Sequence, residues 1–177
     1  MSDIQKIILK RRSIRSFKPD PFSESTIEKL LEAARWAPSA GNRQPVEIIV
    51  VKTPSQKQQL VTAALGQRFI AAAPIVFVIC ADLDRSSSRY GKRGSSLYAI
   101  QDAAAATQNI LLTATDLGLG TVWVGAFDES EAAKALKLPS NVRPLAIIPI
   151  GKPSRDPTPP GRREIGDFTH YEQFGER

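Results

Sequence analysis

The chain holds one cysteine, one histidine and one methionine among its 177 residues. One cysteine excludes an intrachain disulfide framework and any cysteine-rich zinc site. Cys80 closes the apolar run 75–79 and reads as an inert core thiol rather than a nucleophile. His170 lies beside Tyr171 near the C-terminus without the partners that metal or triad chemistry needs, so it reads as structural and no metal site is expected. No apolar run approaches the ~20 residues that span a bilayer. The longest uncharged stretch, 103–115, carries Gln108, Asn109 and three threonines and reads as a buried helix. The first residues lack a signal-peptide pattern, which together with the lone thiol gives the expectation of a cytoplasmic protein without a membrane partner. Aromatic residues are scarce, at 7%, and do not interleave with basic ones. A net charge of +6 therefore does not by itself predict a nucleic-acid partner, and none is expected.

What is present fits one domain over residues 1–177, with enough apolar residues (42%) for a core. The positive excess is concentrated at the two ends of the chain, in Arg11, Arg12, Arg15, Arg162 and Arg163. The stretch Arg11-Arg12-Ser13-Ile14-Arg15 places three guanidiniums within five residues, with a hydroxyl between them. A guanidinium is permanently charged and presents its N–H groups as a planar fork that matches phosphate oxygens. These residues alone read either as a solvated basic helix end or as a grip on a phosphorylated small molecule.

Periodicity orders the rest. Ile4, Ile7 and Ile8 predict a short helix over 3–10 that delivers the arginines at its end. Lys18-Pro19-Asp20-Pro21 is a turn, and Ser23 caps a second amphipathic helix running to about Trp36. The loop from Ala37 to Pro45 is rich in side-chain amides and bounded by prolines, and a strand follows from Val46 to Val51. Amides both donate and accept, which suits a heterocycle edge; the same residues also make ordinary turns. A polar helix over 54–65 and a strand over 75–80 come next. The serine-rich stretch Arg85 to Ser96 reads as a mobile loop. Residues 97–117 predict the central helix, whose alanines allow close approach of a second helix and suggest a subunit interface. Gly118 ends it as a C-cap residue. A strand over 121–124, a surface helix over 129–138 and a last strand over 142–150 precede a proline-rich tail, 152–177.

The N-terminal Arg11-to-Phe17 stretch, followed by Ala33-Ala34-Arg35-Trp36-Ala37-Pro38-Ser39-Ala40-Gly41-Asn42-Arg43-Gln44-Pro45, resembles the FMN-dependent nitroreductase family. The resemblance implies an α+β fold, a three-layer α/β/α sandwich whose central mixed sheet is flanked by helices. It implies a homodimer with FMN at the subunit interface, and a C-terminal tail that extends onto the partner subunit. NAD(P)H is the implied electron donor. In a ping-pong cycle it delivers hydride to flavin N5, after which a nitroaromatic, quinone or related acceptor is reduced. A dehalogenase, a ring oxidase on the same scaffold and a non-enzymatic flavin- or nucleic-acid-binding protein are the competing readings.

Carried over position by position, the resemblance assigns the flavin phosphate to Arg11, Ser13 and Arg162, with Arg12 or Arg163 assisting. Arg15 faces the pyrimidine edge and tunes the reduced ring. Pro38, Ser39, Ala40, Asn42 and Gln44, from the other subunit, and Gln67 supply further contacts. Val124, Gly125 and Ala126 lie against the ring near N5; Gly125 and Ala126, with Arg15, are the expected catalytic positions. The sequence departs from the family pattern at Lys152, where an aromatic is usual, and in the shortness of segment 85–96. Charge-assisted hydrogen bonds contribute roughly 1.5–3 kcal/mol each. Three or four of them, on the order of 5–10 kcal/mol, barely meet an association cost of ~4–15 kcal/mol. Ring burial between subunits must therefore supply the surplus.

Overall fold

The structure is a computed structural model that describes residues 1–176. In chain order it contains α1 (Asp3–Lys10), α2 (Glu24–Arg35), β1 (Val46–Val51), α3 (Pro54–Ala63), α4 (Phe69–Ala72) and β2 (Ile75–Asp82). These are followed by α5 (Leu83–Arg93), α6 (Ala99–Asp116), β3 (Gly120–Thr121), α7 (Glu129–Leu136) and β4 (Val142–Gly151). The strands pair in the order β1-β2-β4-β3.

β2 is apolar from Ile75 to Ala81 and buried throughout that run because both of its faces are covered. Successive side chains alternate across a strand. Ile75, Phe77 and Ile79 therefore pack with Ile27 and Leu30 of α2 and Ala103, Ala106 and Ile110 of α6. Val76, Val78 and Cys80 pack on the opposite face with Leu60 and Val61 of α3 and Ile70 of α4. Helices on both faces give the three layers expected. The ladders between named strands are all antiparallel. The mixed character of the sheet rests on one parallel bridge, Ser13 to Thr121, at its β3 edge.

Local signals set the helix ends. Ser2 and Gln5 form a reciprocal capping box on α1, and Ser23 accepts from the Thr26 N–H to start α2. One expectation is corrected. Residues 85–96 are not a loop: Asp82 caps α5 through the N–H groups of Asp84 and Arg85, and a π-turn over Gly94–Tyr98 joins α5 to α6. The serines suggested a loop because they compete for backbone bonds, but the Asp82 cap and the burial of Ser86 override that preference. The strand expected over 121–124 is also shorter, with Thr121 laddered and Val124 joined to Ile147 by an isolated bridge.

The arginine stretch is sewn to this scaffold. The Ile14 N–H donates to Thr121 O at 2.8 Å, and Ile14 is buried. A Cβ on Gly120 would stand 2.7–2.9 Å from three carbons of Ile14, so glycine is required for that approach. Downstream, the Lys18 N–H donates to Lys152 O, and the Ser154 N–H donates to Ser16 O. The two ends of the chain thus run side by side.

Candidate flavin site

At the C-terminus of α1 the chain turns so that Arg11, Arg12, Ser13 and Arg15 line one cavity of about 350 Å³. Pro157, Thr158, Pro160 and Arg162 of the tail complete it. Four arginines line it and no carboxylate does, a lining whose charge suits an anion. The arginines are not equivalent. Arg12 donates to the carbonyl of Arg11 at 2.8 Å and to that of Leu9, so its charge complements the end of α1. Arg162 donates to the neighbouring carbonyls of Gly161 and Pro160 while facing the cavity. Arg163 does not line the cavity: it donates to Asp167 O and lies 5.9 Å from the Phe168 ring.

Arg15 links this cavity to a second corner. Its Cζ lies 6.0 Å from the centroid of Phe69, two residues beyond Gln67. Gln67 Nε2 donates to Ala126 O at 2.9 Å and to Ala64 O at 3.0 Å, fixing the backbone at that carbonyl. Val124 exchanges both backbone bonds with Ile147 at 3.0 Å, which presents Gly125 and Ala126 at the surface. A Cβ on Gly125 would meet only Trp123, at 3.8 Å or more. The chain's own packing therefore leaves that side of Gly125 open to a flat ligand.

The amide loop lies elsewhere in the protomer. Pro38, Ser39 and Gln44 line a separate cavity of about 310 Å³ with Arg35 and Arg85, while Ala40 and Asn42 line neither. Within the loop Gly41, Asn42 and Gln44 all have φ near +50°. Such backbone persists only where its surroundings hold it. Here Ser39 Oγ accepts from the Gln44 N–H at 3.0 Å, Gln44 Nε2 donates to Asn42 Oδ1 at 3.2 Å, and the Ala40 N–H donates to Asp102 Oδ1 at 3.1 Å.

Asp102 escaped the sequence reading although a signal existed: it is the lone carboxylate in the alanine-rich first half of α6. It is 6% exposed, and Oδ2 has no hydrogen-bond partner. Burial raises its pKa above the usual carboxylate range, against the lowering effect of the Ala40 N–H. Phe69, Thr121 and Thr158 were also missed; as ordinary apolar or hydroxyl residues they carry no local signature. Among the described residues no group of His, Cys, Asp and Glu is placed to hold a metal. His170 Nδ1 accepts from the Gly175 N–H, and its ring packs against Phe174. Burial pushes the Cys80 thiol up to about 12, with Glu47 adding to the shift, so the thiolate is not formed at neutral pH.

A two-cornered site of this kind, on an α+β sandwich with an arginine-rich entry segment, has clear relatives. The sequence model of the nitroreductase family matches residues 8–67 and 55–152, and the chain belongs to that family. It is 34% identical to the NADH dehydrogenase of Thermus thermophilus over 187 aligned positions, covering 90% of this chain and 91% of the relative. It is 32% identical to an FMN reductase of Bacillus subtilis that uses NAD(P)H, covering 87% of this chain and 67% of the relative. Among solved structures, the NADPH:FMN oxidoreductase of Vibrio harveyi, complexed with NAD+, superposes with a TM-score of 0.91 at 26% identity. That match covers 99% of this chain and 80% of the other.

Proposed function

We propose that this chain is an FMN-dependent NAD(P)H oxidoreductase that reduces nitroaromatic, quinone or related acceptors and works as a homodimer with flavin between subunits. The observation that carries the reading is the carboxylate-free cavity where Arg11, Ser13 and Arg15 meet Arg162 from the far end of the chain. A phosphate monoester is the anion that a set of guanidinium forks and a hydroxyl fits best. FMN, when bound, supplies two-electron exchange between donor and acceptor.

The protein's part is to bind and orient. Arg11, Ser13 and Arg162 hold the phosphate, and Arg12 adds charge while capping α1. Arg15, set against Phe69, places a cation at the ring's pyrimidine edge, where it favours the anionic reduced form. Gln67 fixes the Ala126 carbonyl and so holds the Gly125-Ala126 backbone that would face the ring.

Ser39, Asn42 and Gln44 share no cavity with Arg11, Arg12, Arg15 or Arg162 of their own chain, which supports their acting on the partner's flavin. Two exposed apolar surfaces support the dimer. On α1, Ile4, Ile8 and Leu9 are 61, 49 and 57% exposed, and the tail exposes Ile165, Phe168, Tyr171 and Phe174. Large apolar side chains exposed along one helix and along the tail suit burial against a second copy. None of the described helices is long and apolar enough to cross a membrane. The single buried thiol suits a reducing cytoplasm.

The test is direct. The purified protein is expected to be yellow, to release FMN on denaturation, and to oxidise NADPH or NADH when menadione or nitrofurazone is supplied. Colourless protein that takes up no added FMN overturns the cofactor assignment. Yellow protein that oxidises neither donor overturns the enzymatic one.

A further inference from the structure

Four cations, Arg85, Arg89, Lys92 and Arg93, fall within nine residues on α5, and folding brings Arg43 against them. α5 packs on the amide loop through reciprocal bonds: Arg43 Nε donates to Arg85 O at 3.2 Å, and Arg85 Nε donates to Arg43 O at 3.0 Å. Arg43 also donates to Ser88 Oγ at 2.7 Å. The Tyr90 hydroxyl fills the space that a side chain on Gly41 would need. Tyr90 and Tyr98 meet edge to face, with centroids 5.2 Å apart. Two exposed guanidiniums sit on this aromatic pair. The Cζ of Arg89 is 5.6 Å from the Tyr90 ring, and that of Arg93 is 5.3 Å from the Tyr98 ring. Arg93 Nε also donates to the Tyr98 hydroxyl at 2.9 Å. Lys92 lies between them in sequence. None of Arg43, Arg85, Arg89, Lys92 and Arg93 belongs to an ion pair among the described residues.

A guanidinium held by stacking is already oriented, and most of the N–H groups of Arg89 and Arg93 remain free to donate. The cluster is thus a prepared anion receptor joined to the loop that borders the flavin. The flavin phosphate is accounted for by the terminal arginines, so the charge offered by α5 is surplus to it. The remaining anionic ligand of the reaction is the nicotinamide donor. Its reacting ring lies on the flavin, and its adenosine end must reach out across the neighbouring surface. NADPH differs from NADH by a 2′-phosphate monoester on that end, and an arginine beside the ribose is the usual way to accommodate it.

We propose that Arg89 and Arg93, stacked on Tyr90 and Tyr98, read the 2′-phosphate of NADPH and give this protein its preference for NADPH over NADH. The assignment rests on the oxidoreductase reading above. Its test separates the two because one arm needs no turnover.

Binding of adenosine 2′,5′-bisphosphate and of adenosine 5′-monophosphate is measured by calorimetry on the FMN-loaded protein. The wild type is expected to favour the bisphosphate by about tenfold or more, and Arg89→Ala/Arg93→Ala is expected to abolish that difference. In the kinetic arm, the same variant is expected to raise KM for NADPH about tenfold more than KM for NADH, with the flavin content per protomer recorded as the folding control. Arg89→Lys/Arg93→Lys keeps the charge but loses the planar fork, and is expected to recover only part of the discrimination. The proposal is overturned if the wild type shows no bisphosphate preference, if the preference survives in the double alanine variant, or if KM rises equally for both donors. Bisphosphate discrimination in a protein that oxidises neither donor would sink the enzymatic reading while leaving the receptor in place.

Discussion

Arg162 and Arg163 are neighbours in the chain, and only one of them lines the proposed phosphate cavity, so exchanging each for alanine is a sharp comparison. Arg162 faces Arg11, Ser13 and Arg15, whereas Arg163 is committed to Asp167 O and the Phe168 ring. A charge-assisted hydrogen bond contributes about 1.5–3 kcal/mol, so Arg162→Ala should weaken FMN binding roughly 10- to 150-fold. Arg11→Ala should do the same. The double variant should cost less than the sum, because on the proposed assignment both side chains bind one phosphate, and residues that share a partner couple. Arg163→Ala should stay within about twofold of wild type, its charge being at the surface and screened. The assay is titration of flavin-free protein with FMN, followed by quenching of flavin fluorescence at low and moderate salt. Equal losses for Arg162→Ala and Arg163→Ala, or no loss for Arg162→Ala, would refute the assembly of the cavity from the two chain ends.

Three further outcomes follow from the geometry. Gly120→Ala should push against Ile14, which the backbone bond to Thr121 prevents from yielding; overpacking of this kind costs ~1–3 kcal/mol, or a melting temperature lower by about 2–12 °C. Because Ile14 lies between Ser13 and Arg15, flavin content should fall with it, and a melt and an absorption spectrum of one preparation check both. Asp102 titrates above an ordinary carboxyl, so its stabilising contribution is complete at pH below the unfolded value and is lost as pH rises through the raised folded value. Denaturant midpoints across that acidic window should therefore decline for wild type and stay flatter for Asp102→Asn, which keeps an acceptor for the Ala40 N–H. Ile4→Glu/Ile8→Glu on the uncovered face of α1 should leave the fold intact but shift sedimentation from dimer to monomer, since neither side chain is buried in the protomer.

Much of this was legible in the chain itself. Elements with one strong local cause were placed almost to the residue: α1 by 3.6-residue spacing, α2 by that spacing and the Ser23 cap, β1 and β2 by their apolar runs. The family likeness read from the arginine and amide motifs is borne out by the family match. What was not legible depends on partners far away. α5 exists in spite of its serines because Asp82 caps it, and it is anchored from a distance by Arg43 and by Tyr90 against Gly41. Asp102 matters because the Ala40 N–H, 62 positions earlier, finds it. A map of charge along the sequence put the excess at the termini and passed over the four cations of 85–93, which folding joins to Arg43 and leaves without an ion pair among the described residues.

The stitch between residues 16–18 and 152–154 joins positions as far as 138 apart, and the cavity lining continues to Arg162. A growing polypeptide therefore carries Arg11 to Arg15 long before residues 157–162, which complete their cradle, have left the ribosome. On the proposed function, loading with the yellow prosthetic group waits for that late step. A chain that stopped before residue 157 would lack Pro157, Thr158, Pro160 and Arg162, the tail's whole share of that lining.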